Sequence, residues 1–164
     1  MKLYYFDIYG RAEGIRMLLT HAKAEWEDVR INGEKLGELK ASGNLEFGQV
    51  PALEHDGKWL AQSWSILRYL GKVYGYYPSD AEAAWKVDST LDAVEDYLTT
   101  FFRYNFEQDE EKKKVAKENW LKFVPGWLTV IEKRVANNES QHHIVGSTWT
   151  IADFALVALF TGIL

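Results

Sequence analysis

The sequence predicts an α/β unit followed by an all-α unit, and three observations carry that expectation. Short apolar strands flank an amphipathic segment near the start of the chain. An Asp56-Gly57 pair separates two apolar runs. After Pro78, every apolar pattern repeats at helical spacing.

Taken in order, residues 2–6 alternate as a strand and end in a turn at 7–10. Over 11–24, Ile15, Leu18, Leu19 and Ala22 recur with helical period among Arg11, Glu13, Arg16 and Lys23. Residues 28–31 predict a second strand, parallel to the first through that helix, because such crossovers are right-handed in nearly all folds. The glycine-dotted segment 32–48 has no clean period and reads as a loop with one helical turn at 35–41. Residues 51–61 read as a hairpin, since Asp-Gly suits a two-residue turn. Ser63 is expected to cap a helix carrying Ile66, Leu67, Tyr69, Leu70 and Val73. Long helices follow over 81–106 and 109–135, the second with a kink expected at Pro125-Gly126. A polar loop at 137–147 leads to Thr150-Ile151-Ala152-Asp153, which has the form of a capping box for an apolar helix starting near Phe154. The expected division is residues 1–76, a linker at 77–82, and a helical region at 83–164.

Composition narrows the chemistry. The chain has no cysteine, which excludes disulfides, thiolate metal sites and a cysteine nucleophile. Its reactive groups are hydroxyls, carboxylates and histidines, or a thiol that a ligand brings. A net charge of −5 offers no electrostatic footprint for nucleic acid. The run Lys112-Lys113-Lys114 lies among acidic residues and reads as a solvated helix face. The most apolar tract, 151–164, is shorter than the roughly 18 residues a membrane span needs, and no signal sequence is apparent. A cytoplasmic protein without membrane insertion is expected.

Tyr5, on the first strand, precedes Arg11 by six residues across a turn. A hydroxyl donor and a fixed cation both favour an anion such as a thiolate. Val50-Pro51 reads either as the start of an edge strand or as a turn whose backbone stays available to an extended ligand. Gln62-Ser63, at a helix start, suits a ligand carboxylate as well as simple capping. Together they suggest a pocket for a small acidic peptide. Asp92, Glu95 and Asp96 share one helix face, which reads as a solvated face, a contact across a dimer, or a weak divalent-cation site. His142-His143 is the only histidine pair and a weak candidate for metal. Trp59, Trp64 and Trp85 read as packing or interface residues.

Tyr5-Phe6, Gly10-Arg11-Ala12-Glu13, Gly48-Gln49-Val50-Pro51, Gln62-Ser63 and Thr150-Ile151-Ala152-Asp153 together resemble the signature of a glutathione transferase. The opening, with Leu91-Asp92 and Glu95-Asp96, is most similar to the sigma class, which includes glutathione-dependent prostaglandin D synthases. The resemblance implies a thioredoxin-like N-terminal domain, βαβ-ββα, followed by a helical C-terminal domain. It also implies that Tyr5 hydrogen-bonds the glutathione sulfur and Arg11 steadies the thiolate. By the same resemblance, Gln49, Val50 and a cis Pro51 meet the cysteinyl part of the peptide, Gln62 and Ser63 hold its γ-glutamyl end, and Lys40 lies near its glycyl carboxylate. Asp96 would reach the peptide of a partner subunit, so a homodimer is implied. Glutathione is the implied co-substrate, a small hydrophobic electrophile the second substrate, and no metal is required. Isomerase or peroxidase chemistry with glutathione belongs to the same family. Leu36 stands where the class has Trp, and Arg103 near where the prostaglandin synthases have an aromatic. The resemblance further implies helices beyond Leu164, so the chain reads as truncated. The alternative is a non-catalytic structural subunit of a larger assembly.

Overall fold

A computed structural model describes residues 1–162 of the chain. It divides into two compact units, one of residues 1–78 together with the segment from Phe154 onward, the other Ser79–Asp153.

In the first unit, β1 (Lys2–Phe6) leads through a 3-10 turn (Gly10–Ala12) into α1 (Glu13–His21) and then β2 (Glu27–Ile31). The region expected to be mostly loop holds a full helix, α2 (Gly33–Ala41). Its start is fixed by Asn32, whose side chain accepts from the Lys35 amide at 2.9 Å. Periodicity misses α2 because two of its nine residues are glycine and only Leu39 is buried. The hairpin follows as β3 (Ala52–His55) and β4 (Lys58–Ala61), and then α3 (Ser63–Tyr74). Asp56 and Gly57 both have positive φ, +49° and +73°, as a type I′ turn demands.

The sheet order is β2-β1-β3-β4, with β1 parallel to β2 and antiparallel to β3. Leu3 and Tyr5 are buried on one face, toward the core that includes Leu18, Leu19, Leu53, Ile66 and Leu67. On the other, Ile31, Leu39, Leu45 and Ala52 form a smaller core, with Tyr4, Phe6 and Trp59 packed against it. The period of two along β1 divides these roles. Tyr4 donates to Glu54 Oε2 at 2.7 Å. Burial, then this bond to a carboxylate, pushes its phenol up to about 12.

The second unit pairs α4 (Ala81–Asn105) with α5 (Glu110–Ala136). Val87, Leu91, Val94 and Leu98 recur along α4 at helical spacing and are buried. Asp80 caps α4 and Asp109 caps α5, each accepting from the amide three residues on. Arg134 of α5 donates to the Ser89 and Thr90 hydroxyls of α4 at 3.0 and 2.9 Å. Helix α5 runs through Pro125 without interruption.

Helix α6 (Ile151–Gly162) opens three residues before the expected start at Phe154, directly after Thr150. Asp153 reaches back to the Thr150 amide and hydroxyl, each at 2.8 Å, and its other oxygen accepts from the Ile144 amide at 2.9 Å. One buried carboxylate thus ties the preceding loop to the helix start. Among the described residues, no helix is long and apolar enough to cross a membrane.

Replacing Asp153 with Ala should therefore lower unfolding stability by about 2 kcal/mol, a lost cap plus buried donors left unmatched. Urea denaturation should show a lower midpoint at unchanged slope. An unchanged midpoint would refute the assignment of Asp153 as the tie.

Candidate active site

The register of the three adjacent strands β1, β3 and β4 decides what meets at their ends. Tyr4 pairs with Ala52, and Ala52 with Ala61. One residue beyond each pairing lie Tyr5, Pro51 and Gln62. The three chain segments leave the sheet at the same edge, with strands about 4.8 Å apart. Tyr5, Val50-Pro51 and Gln62-Ser63, far apart in sequence, are thereby neighbours.

Tyr5 is largely buried, at 6% exposure. Its hydroxyl oxygen accepts a hydrogen bond from the Arg11 backbone amide at 3.2 Å. The turn between them is tight: Gly10 has φ +42°, and a Cβ there would stand 2.7 Å from the Tyr5 hydroxyl. Only glycine leaves room for the phenol. Arg11 is half-buried on the 3-10 turn.

Val50-Pro51 is a cis peptide bond. Val50 lies outside the β1–β3 ladder and is half-buried; Gln49 beside it is exposed. Lys40, exposed on the last turn of α2, stands over the same loop: a Cβ on Gly48 would lie 3.7 Å from its Cε.

Ser63 does not cap α3, contrary to expectation. It is the first helical residue, and Gln62 occupies the cap position without a side-chain capping bond. The hairpin brings Gln62 in with φ +69° and ψ 114°, a region that side chains rarely adopt. The first-turn amides of a helix have no intrahelical acceptor. This end of α3, with Ser63 buried and Gln62 exposed, combines such amides with a strained polar residue. Asp96 belongs to the second unit, exposed on α4 near Asp92, while Glu95 accepts from the Thr99 hydroxyl at 3.1 Å. Among the described residues, no group of three or more metal-binding side chains occurs.

Sequence reasoning missed Arg16. At 5% exposure, it donates to the carbonyls of Ile8 and Tyr9 at 2.9 and 3.3 Å and to the carboxylates of Glu13 and Asp28 at 3.0 and 3.2 Å. On the helical wheel it looks like an ordinary exposed charge. Only the fold reveals its acceptors.

A family profile described as "Glutathione S-transferase, N-terminal domain" matches residues 1–72, and one described as "Glutathione S-transferase, C-terminal domain" matches residues 95–164. Glutathione S-transferase 2 of Manduca sexta is 36% identical over 96% of this chain and 75% of its own length. Glutathione S-transferase 1 of Ascaris suum is 37% identical over 94% and 76%. The chain belongs to the glutathione S-transferase family. Solved structures agree with this glutathione S-transferase assignment. The prostaglandin synthase D of Nilaparvata lugens superposes with a TM-score of 0.86 at 30% identity, covering 97% of this chain and 78% of that one. The glutathione S-transferase of Ascaris lumbricoides gives 0.82 at 36% identity, covering 94% and 76%.

Two glycine substitutions probe the geometry of this transferase-family edge. Gly10→Ala should destabilise by roughly 1–3 kcal/mol, through its positive φ and the collision with Tyr5. Gly37→Ala, with nothing within 4 Å of the new carbon, should instead add about 0.5–1 kcal/mol. Equal effects in denaturant melts would contradict the close approach. Gln62→Gly should relieve a backbone outlier and raise stability by about 1 kcal/mol, a fraction of the usual cost of such strain. A loss of stability would show that its φ is unstrained.

Proposed function

We propose that this chain is a working glutathione transferase that activates the glutathione thiol for attack on small apolar electrophiles. One observation carries the reading. The Tyr5 oxygen already accepts the Arg11 amide at 3.2 Å, so its own proton is oriented toward a further acceptor, the incoming sulfur. A free thiol has a pKa near 8.5, so only a few per cent is thiolate at neutral pH. A hydroxyl donor and the Arg11 guanidinium both favour the anion; charged hydrogen bonds contribute about 1.5–3 kcal/mol each.

The rest of the sheet edge supports a tripeptide. Three adjacent strand ends span about 10 Å, comparable to an extended chain of three residues. On this reading Val50, before Pro51 and beside Gln49, pairs its backbone with the cysteinyl residue. Gln62 and the first-turn amides at Ser63 hold the γ-glutamyl carboxylate. Lys40 neutralises the glycyl carboxylate, and the partner subunit's Asp96 meets the γ-glutamyl amino group across a homodimer. In chain order, residues 1–76 form the glutathione-binding domain, 77–82 the linker and 83–164 the helical domain of a cytoplasmic enzyme, although the segment from Phe154 groups with the first compact unit. In the reaction, the thiol proton leaves to solvent. The thiolate sulfur then bonds to the electrophilic carbon as that carbon's leaving group departs with its electron pair. No metal takes part.

Tyr5→Phe decides the proposal. It should cut kcat/KM for conjugation of a generic aryl halide at neutral pH by about 10- to 100-fold, the loss of one charged hydrogen bond. Retention on immobilised glutathione should persist, since the peptide's ends are held elsewhere. Parent-like turnover in the variant would remove the proposed mechanism.

A further inference from the structure

We propose that Arg16 is a positioning residue for thiol activation, acting through the loop that joins Tyr5 to Arg11; this rests on the glutathione reading above. The loop, residues 7–9, must turn the chain back so that the Arg11 amide reaches the Tyr5 hydroxyl. Three carbonyls around it converge on one guanidinium: Ile8 at 2.9 Å and Tyr9 at 3.3 Å from Nη1, and Phe6 at 3.5 Å from Nη2. Carbonyls directed inward at a buried site need donors, and arginine offers five in a fixed fork.

The guanidinium is itself held. Glu13 Oε2 accepts from Nη1 at 3.0 Å, and Asp28 Oδ1 from Nε at 3.2 Å. Asp28 also accepts from Arg30, whose Nη1 reaches Asp7 Oδ1 at 3.3 Å and the Ile8 carbonyl at 3.5 Å. Two arginines sharing one aspartate therefore both hold the loop through the Ile8 carbonyl. Arg16 further lies beneath the phenol, its central carbon 5.7 Å from the Tyr5 ring centroid.

Geometry, more than field, is how Arg16 acts. Its single positive charge faces two carboxylates, so little net charge is left to act on a sulfur beyond the ring. What it contributes is the shape of the loop, and hence the direction of the Tyr5 O–H bond. A misplacement of about 1 Å at a reacting group can cost about 100-fold in rate.

Arg16→Lys keeps the charge and loses the fork. The experiment measures, on folded protein, the apparent pKa of the enzyme-bound glutathione thiol by ultraviolet titration of the thiolate, together with glutathione affinity and the pH profile of kcat/KM. The bound thiol's pKa should rise by about one unit, lowering kcat/KM about tenfold on the acid side of the profile, by less near neutral pH, and recovering at alkaline pH, with affinity within about threefold of the parent. A purely structural role would lower activity evenly across pH and leave the thiol's pKa where it was; that result overturns the proposal. In the Tyr5→Phe background, Arg16→Lys should add nothing, and an additive loss would equally overturn it. Should Arg16→Lys fail to fold, Asp28→Asn carries the test, with a shift in the same direction supporting the proposal and no shift overturning it. A parent protein that binds glutathione without lowering its thiol pKa would defeat the glutathione reading itself. A parent that lowers it, beside an unshifted Arg16→Lys, defeats this inference alone.

Discussion

Strand β1 is paired on both sides, and its register governs everything at the sheet edge. Leu3 and Tyr5 enter one core while Tyr4 and Phe6 enter the other. Because side chains alternate, a slip of one residue would carry Tyr5 to the α2 face and Tyr4 into its place. Two hydrophobic cores, one on each face, exclude that slip. Of the candidate site residues, Tyr5 belongs to one core and Val50 packs against the other, so the site inherits its geometry from packing.

Around that edge, local strain and buried charge are concentrated. Gly10 and Gln62, at φ +42° and +69°, stand one after β1 and the other after β4. Arg16 is the only arginine buried among the described residues, and its burial is tolerable because two carboxylates and the loop carbonyls surround it. A buried cation without such company would be strongly destabilising. Departures of this kind from locally favourable chemistry collect where a structure must hold polar groups in one orientation.

The legible parts of the sequence are those with a strong local signal. Asp56-Gly57 marks the hairpin because both positions need positive φ, and Thr150 with Asp153 marks a helix start because the Asp153 carboxylate closes on the Thr150 amide and hydroxyl. Helix α2 is legible only as the single turn read at 35–41, since glycine-rich polar residues around a single buried leucine leave no clear period. The cap position expected at Ser63 falls instead on Gln62, which makes no side-chain capping bond, because the residue leaving β4 is still bending when the helix begins. Of the candidate site, Tyr5, Val50-Pro51 and Gln62-Ser63 are proposed from residue type and position. Arg16 could not be, because its acceptors are backbone carbonyls whose direction exists only after folding.

The first unit is not contiguous in the chain. Phe154 sits edge-on to His21 and Tyr76, and Gly14 lies within 3.5 Å (to a hypothetical Cβ) of the Phe154 carbonyl. During synthesis, the thioredoxin-like segment emerges first, yet lacks part of its own packing until the residues from Phe154 onward have left the ribosome. The intervening helical pair, wholly contiguous, faces no such wait. Completion of the amino-terminal half is thereby tied to translation of the carboxyl-terminal one, and a nascent chain halted before α6 would present an unfinished surface around α1.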